Sequence, residues 1–254
     1  MTETDLPPRL TRLTFLGPLS EARAARIVGR LAGAAPTRVL DLGCGWGELM
    51  LRVLEAVPGA SGTGIDLSAP DLARGRANAG ARGLGDRVEF IEKSAAGTDH
   101  GPADLVLSIG AGHALGDAAP PHHIAEALAV LRRSVAPGGR VLFAEGFWQR
   151  SPTAAELAAM WPGARADEHH DLAGLVDLAV AAGFRPSWIE TAGDDEWEDF
   201  ESGYQSDVEE WLAAHPGHPL ARETRERVDR HRTSWLRGYR GVLGMAYLTL
   251  VPVD

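Results

Sequence analysis

One stretch constrains this chain more than any other: Val39-Leu40-Asp41-Leu42-Gly43-Cys44-Gly45-Trp46-Gly47-Glu48. A short apolar run ends in an acid and then breaks into glycines at alternate positions. A run of that length with that ending predicts a buried strand, a tight turn and then a helix. Glycine is needed where the backbone takes positive φ or where a ligand presses on the main chain. The helix that follows offers free N–H groups to a polar ligand.

The rest of the chain repeats this strand-and-helix unit. Ser20 is placed to cap a helix over 19–32, in which Ala24, Ile27, Val28 and Leu31 recur at helical spacing. Strands are expected at 38–42, 61–66, 87–91, 103–109, 140–145, 187–191 and 245–251. Helices are expected at 46–56, 69–82 (opened by Pro70), 121–134, 153–160 and 172–182. Pro137-Gly138-Gly139 reads as a turn into the fifth strand, and residues 1–9 as a loose tail. Alternating strands and helices imply an α/β fold, a mostly parallel sheet covered on both faces. Residues 194–240 read as a mostly helical insert between strands six and seven, within a single domain spanning 1–254.

The spacing Asp-x-Gly-x-Gly-x-Gly differs from the dinucleotide fingerprint Gly-x-Gly-x-x-Gly, whose third glycine would fall at Glu48. Asp66 closes the second strand, in Gly62-Thr63-Gly64-Ile65-Asp66, roughly 20 residues past the glycines, where an acid receives ribose hydroxyls. Together these residues resemble the motifs of the Rossmann-like S-adenosylmethionine-dependent methyltransferases. The resemblance covers residues 20–193 and 245–252, and points to a bacterial branch acting on small molecules. It implies a three-layer sandwich with a seven-stranded sheet whose last strand is antiparallel, and the 194–240 insert as a cap that shapes the acceptor site. It implies S-adenosylmethionine as the cofactor. Asp41, Gly43, Cys44, Gly45 and Gly47 then surround its methionine end, Asp66 takes the ribose, and Leu67 packs on the adenine. Ser94, beside Ala95, stands where the family often places an acid, and Ile109 and Gly110 complete the floor.

Methyl transfer from a sulfonium needs an oriented acceptor and, at times, a proton acceptor, but no enzyme nucleophile. The loop after strand four carries His113, an imidazole suited to a general base or, alternatively, to helix capping. Glu145 ends strand five and reads either as a group orienting the acceptor or as an anchor for the neighbouring loop. Trp148 reads as a pocket wall. In the insert Trp197, Phe200, Tyr204, Val208 and Trp211 share one helical face, which is either helix packing or, through Trp197 and Tyr204, a lining for an apolar acceptor.

Composition narrows the partners. A formal charge of −10, with Lys93 the single lysine, disfavours nucleic acid. No apolar run approaches the ~18 residues that span a bilayer, so no membrane partner is expected. One cysteine fits a reducing, cytoplasmic setting. The histidine pairs His122-His123 and His169-His170 lack a completing thiolate or carboxylate cluster, so no metal is expected. The expected enzyme is a monomer or homodimer that moves a methyl group to an O or N atom of a small molecule. The alternatives are an RNA or protein methyltransferase, or a non-catalytic module that binds the cofactor.

Overall fold

The computed structural model describes residues 6–253. In chain order the elements are α1 (Glu21–Ala32), β1 (Arg38–Leu42), α2 (Glu48–Ala56), β2 (Ser61–Asp66), α3 (Ala69–Ala81) and β3 (Val88–Glu92). There follow β4 (Ala103–Ile109), α4 (His123–Ser134), β5 (Val135–Trp148), α5 (Ala154–Ala159), α6 (Leu172–Ala181) and β6 (Phe184–Thr191). The chain closes with α7 (Asp194–Ala214), α8 (Ala221–Thr233) and β7 (Leu243–Pro252). The sheet has seven strands in the order β3-β2-β1-β4-β5-β7-β6. β7 runs antiparallel to both β5 and β6, and the other pairs are parallel.

The two-residue period of the strands builds the layers. Val39 of β1 and Leu105 and Leu107 of β4 face α1, α2 and α3. Their neighbours Leu40, Leu42 and Val106 face α4 and α6 on the other side. Both faces are apolar, so β1 reads as a continuous hydrophobic run, the signature of a strand covered twice. The helix caps follow the sequence. Ser20 accepts from the Arg23 N–H, Thr153 forms a capping box with Glu156, and Asp171 accepts from the Gly174 N–H.

Several boundaries depart from the sequence reading. β5 begins at Val135, five residues before the expected start, and the Pro137-Gly138-Gly139 turn falls inside it as a register shift between Ala103 and Leu105 of the partner strand. β6 starts at Phe184 and β7 extends at both ends, because each gains a neighbour strand that local sequence does not announce. Residues 6–9 are no loose tail: Arg9 binds the Asp71 carboxylate at 2.9 and 3.2 Å. The part of that expected tail at 1–5 lies outside the described residues.

The segment from Leu6 to Ser20 crosses the carboxyl ends of β1 and β2 as a strap. Arg74 of α3 donates to the Leu10 and Leu13 carbonyls, and the Trp46 indole N–H donates to the Thr14 carbonyl at 2.8 Å. From the other side, the Asp207 carboxylate of α7 accepts from the Thr11 N–H and hydroxyl. The 194–240 insert is α7, α8 and a π-helical turn over Ser234–Tyr239. Its apolar stripe divides three ways. Val208 and Trp211 pack on Val228, Phe200 and Tyr204 lie against the strap and Trp46, and Trp197 reaches toward Tyr239.

Candidate functional site

A cavity of about 500 Å³ opens at the carboxyl ends of β1, β2 and β4, the position at which open α/β sheets bind ligands. Its floor is the turn between β1 and α2. Gly43, Gly45 and Gly47 have φ of +71°, +53° and +65°, and a Cβ on Gly43 would overlap the Ala111 methyl. These glycines let the main chain face the cavity directly. The Gly43 and Cys44 N–H groups both donate to the Ile65 carbonyl, which ties the turn to β2.

Two carboxylates stand on this floor. Asp66 accepts from the Gly45 N–H on one oxygen and the Ser68 N–H on the other, each at 2.8 Å. Asp41 is 4% exposed. Burial first, and the neighbouring Asp66 charge second, push its carboxyl up to about 7. A cation brought into the cavity would relieve that burden. Leu67, 69% exposed, stands at the mouth. Such exposure of a leucine is informative where it borders a cavity, because it offers an apolar face to a flat ring. The Cys44 thiol is held protonated, chiefly by burial. It packs against the Gly64 backbone and serves as a small spacer.

The structure brings Asp41, Gly43, Cys44, Gly45, Gly47, Asp66, Leu67, Ser94, Ala95, Ile109 and Gly110 to this one cavity. Ser94 is exposed, and its hydroxyl accepts from the Ala96 N–H at 3.2 Å. His113 also lines the cavity, exposed, on a 3-10 turn at Gly112–Ala114. Glu145 does not line it. That side chain is buried beneath the His113 turn, with one oxygen accepting from the Gly112 N–H at 3.1 Å and the other from the Gly146 N–H at 3.0 Å. Burial pushes its carboxyl up, against those two hydrogen bonds. Glu145 therefore anchors the loop that carries His113.

The three expected pocket aromatics separate. Trp148 is buried elsewhere, its indole N–H donating to the Ala166 carbonyl at 2.9 Å and its ring meeting His169 edge-on. Trp197 borders a small cavity of about 130 Å³ near Trp235 and Tyr239. Tyr204 borders a third cavity, between the strap and the cap. Sequence reasoning missed Phe15, Leu16, Trp46 and Asp71 as walls of the main cavity. A signal existed for Trp46. A large indole between two glycines needs something to cover it, and the strap does so, with the Arg74 guanidinium 3.9 Å above the ring. Among the described residues no helix is long and apolar enough to cross a membrane.

Comparison with known proteins places this geometry. Residues 39–139 match the model of a methyltransferase domain. The uncharacterized protein YjhP of Escherichia coli is 31% identical over 214 residues, 84% of this chain and 83% of that one. Its crystal structure superposes with a TM-score of 0.81 at 26% identity, over 97% of this chain and all of that one. An S-adenosylmethionine-dependent methyltransferase from Geobacter sulfurreducens, solved with S-adenosylhomocysteine, superposes equally well (TM-score 0.81, 27% identity, 97% and 98% of the two chains).

Proposed function

This chain belongs to the Rossmann-like S-adenosylmethionine-dependent methyltransferases and uses S-adenosylmethionine as its methyl donor; on that premise we propose that it methylates an oxygen or nitrogen atom of a small molecule. The observation that carries the acceptor class is the roof. Phe15 and Leu16 of the strap cover the donor cavity, and the strap is pinned to α3 on one side and to α7 on the other. An acceptor reaches the cavity beneath that roof, which suits a compact molecule better than a folded polymer. The net charge of −10 agrees, since it disfavours a polyanion.

The bound donor supplies an electrophilic methyl on sulfur. The protein does the rest. Asp41 would face the cationic amino-acid end, Asp66 would receive the ribose hydroxyls, and Leu67, Ser94 and Ala95 would border the adenine. The open backbone at Gly43, Gly45 and Gly47 allows close approach. Ile109 and Gly110 form the floor beside His113, whose imidazole accepts the proton that leaves the acceptor. Glu145 positions His113 through the Gly112 N–H. Phe15 and Leu16 of the strap limit the access of water to the donor.

His113→Ala should lower kcat/KM by about a hundredfold, the low end for loss of a general base, while S-adenosylhomocysteine binds as before. Unchanged turnover would remove His113 from the mechanism. A steep salt dependence of acceptor binding would instead favour an RNA substrate.

A further inference from the structure

We propose that the space between the strap and the cap helices is the acceptor chamber, and that its occupant is a small aromatic molecule bearing a hydroxyl group. The word acceptor rests on the methyltransferase reading above; the binding chamber itself does not.

The chamber has a volume of about 480 Å³, within the usual range for small-ligand sites. Leu16 is a wall of both this chamber and the donor cavity. One strap side chain therefore stands between the two spaces. Carbon dominates the rest of the lining, with Leu6 and Leu10 from the strap facing Val208 and Val228 from the cap. An apolar body fits there.

One polar device is built into the cap beside it. Glu201 is 1% exposed. Its two oxygens accept from the Tyr239 hydroxyl and from Nε2 of His231, each at 2.7 Å. Burial, then the Glu201 charge, push the Tyr239 phenol up, so Tyr239 remains a neutral donor. The His231 ring stacks on Tyr204 with centroids 4.5 Å apart and an interplanar angle of 20°. Carboxylate and stacking together fix the imidazole, and both rings border the chamber. With Nε2–H given to Glu201, Nδ1 is the ring nitrogen left for a ligand hydroxyl. Nδ1 makes no hydrogen bond among the described residues. A buried carboxylate costs stability unless it is fully engaged, and an apolar pair would hold two helices together at least as well. The arrangement holds an imidazole at the chamber wall for a ligand O–H, a group distinct from the one that reacts beside His113 in the donor cavity.

Charge selects between hydroxyl and amine. Arg9 and Arg227 flank the chamber, and Arg227 forms no ion pair among the described residues. Arg9 is already paired with Asp71, so it is the Arg227 guanidinium that disfavours an ammonium and tolerates a phenol or its anion.

The test is a pair of fluorescence titrations, with 2-naphthol and with naphthalene, on the whole protein. Wild type should bind 2-naphthol about tenfold more tightly, the size of one hydrogen bond. In His231→Gln, whose amide keeps a donor on Glu201, the ratio should fall toward one. Tyr204→Ala and Val228→Phe, which remove and crowd a wall, should each weaken both probes at least threefold. Equal binding of the two probes to wild type, an unchanged ratio in His231→Gln, or wild-type affinity in both wall variants would overturn the proposal. S-adenosylhomocysteine calorimetry on the same samples separates the two readings. Its loss would strike the donor site alone, and retained donor binding beside failed naphthol binding would strike the chamber alone.

Discussion

The donor floor and the strap–cap side of this molecule are built on opposite plans. The floor is centred on one strand-turn-helix unit, the ten consecutive residues from Val39 to Glu48, with Asp66, Ile109 and Gly110 added from the ends of β2 and β4. Its ligand-facing groups are backbone, freed by glycines at positive φ. The strap and α1 meet the cap through side chains far apart in the chain: Thr11 with Asp207, Arg12 with Glu210, and Arg23 of α1 with Glu196. Local geometry leaves little room for substitution, whereas a set of distant ion pairs degrades piece by piece. Changes on the floor should therefore abolish donor binding, and changes on the other side should alter stability or access while leaving the donor's affinity nearly intact.

The strongest attempt to break that contrast is Gly43→Val. Positive φ and overlap with Ala111 act together, and the expected loss is about 3–4 kcal/mol of stability with no measurable donor binding. A thermal melt and calorimetry check both; a well-folded variant that still binds the donor would show that the floor is more forgiving than its geometry implies.

Glu196→Ala is the matching test on the other side. Burial raises the Glu196 carboxyl, but the Arg23 and Ser20 hydrogen bonds outweigh it and hold it down to about 2. Its stabilisation is present above the ordinary carboxylate range near pH 4.5 and is lost as pH falls through about 2. Removing it should lower stability by about 2–3 kcal/mol near neutrality, with the gap from wild type closing in acid. Donor affinity should stay within about threefold; a larger change would mean that the cap is coupled to the floor.

Asp41→Asn sharpens the contrast from within the floor. The folded carboxyl is raised to about 7, so wild-type stability is lost as pH rises from about 4 through 7. Asparagine escapes that loss. The variant should be more stable than wild type by roughly 4 kcal/mol at pH 8 and equal to it below pH 4. Its donor affinity should fall about tenfold or more. In wild type, donor binding near neutrality should release a proton, seen as a dependence of the calorimetric enthalpy on buffer ionisation heat.

The smallest effect is expected at the clamp. Thr11→Val keeps the backbone donation to Asp207 and loses the hydroxyl one. A cost of about 1 kcal/mol is expected, with a faster donor on-rate because the roof opens more readily. An unchanged rate in stopped-flow would indicate that the strap does not gate the donor.

What could be read before the structure follows this same division. β1, β2 and β4 agreed with expectation at both ends, because apolar runs bounded by glycine or acid mark buried parallel strands. β6, β7 and the carboxyl end of β5 ran longer through antiparallel pairing, and the start of β5 through a parallel contact of Val135 with Ala103, neither marked by a distinctive local pattern. In the site, every residue assigned to the donor from the glycine turn and the strand ends lines one cavity. The aromatics Trp148, Trp197 and Tyr204 disperse, because helical periodicity gives a shared face but not what that face meets. Glu145 shows the limit most clearly. Its place at a strand's end was legible, yet only the folded chain shows both oxygens engaged by Gly112 and Gly146.

The sequence by itself determined the alternation of strands and helices, the glycine turn and the two acids Asp41 and Asp66, because each follows from interactions among residues near in the chain. The tertiary structure decided the roof formed by Phe15 and Leu16, the anchoring role of Glu145 and the Glu201–His231 pair. Those depend on which surfaces meet when segments as distant as Thr11 and Asp207 come together, and no local rule of backbone geometry or periodicity encodes that meeting.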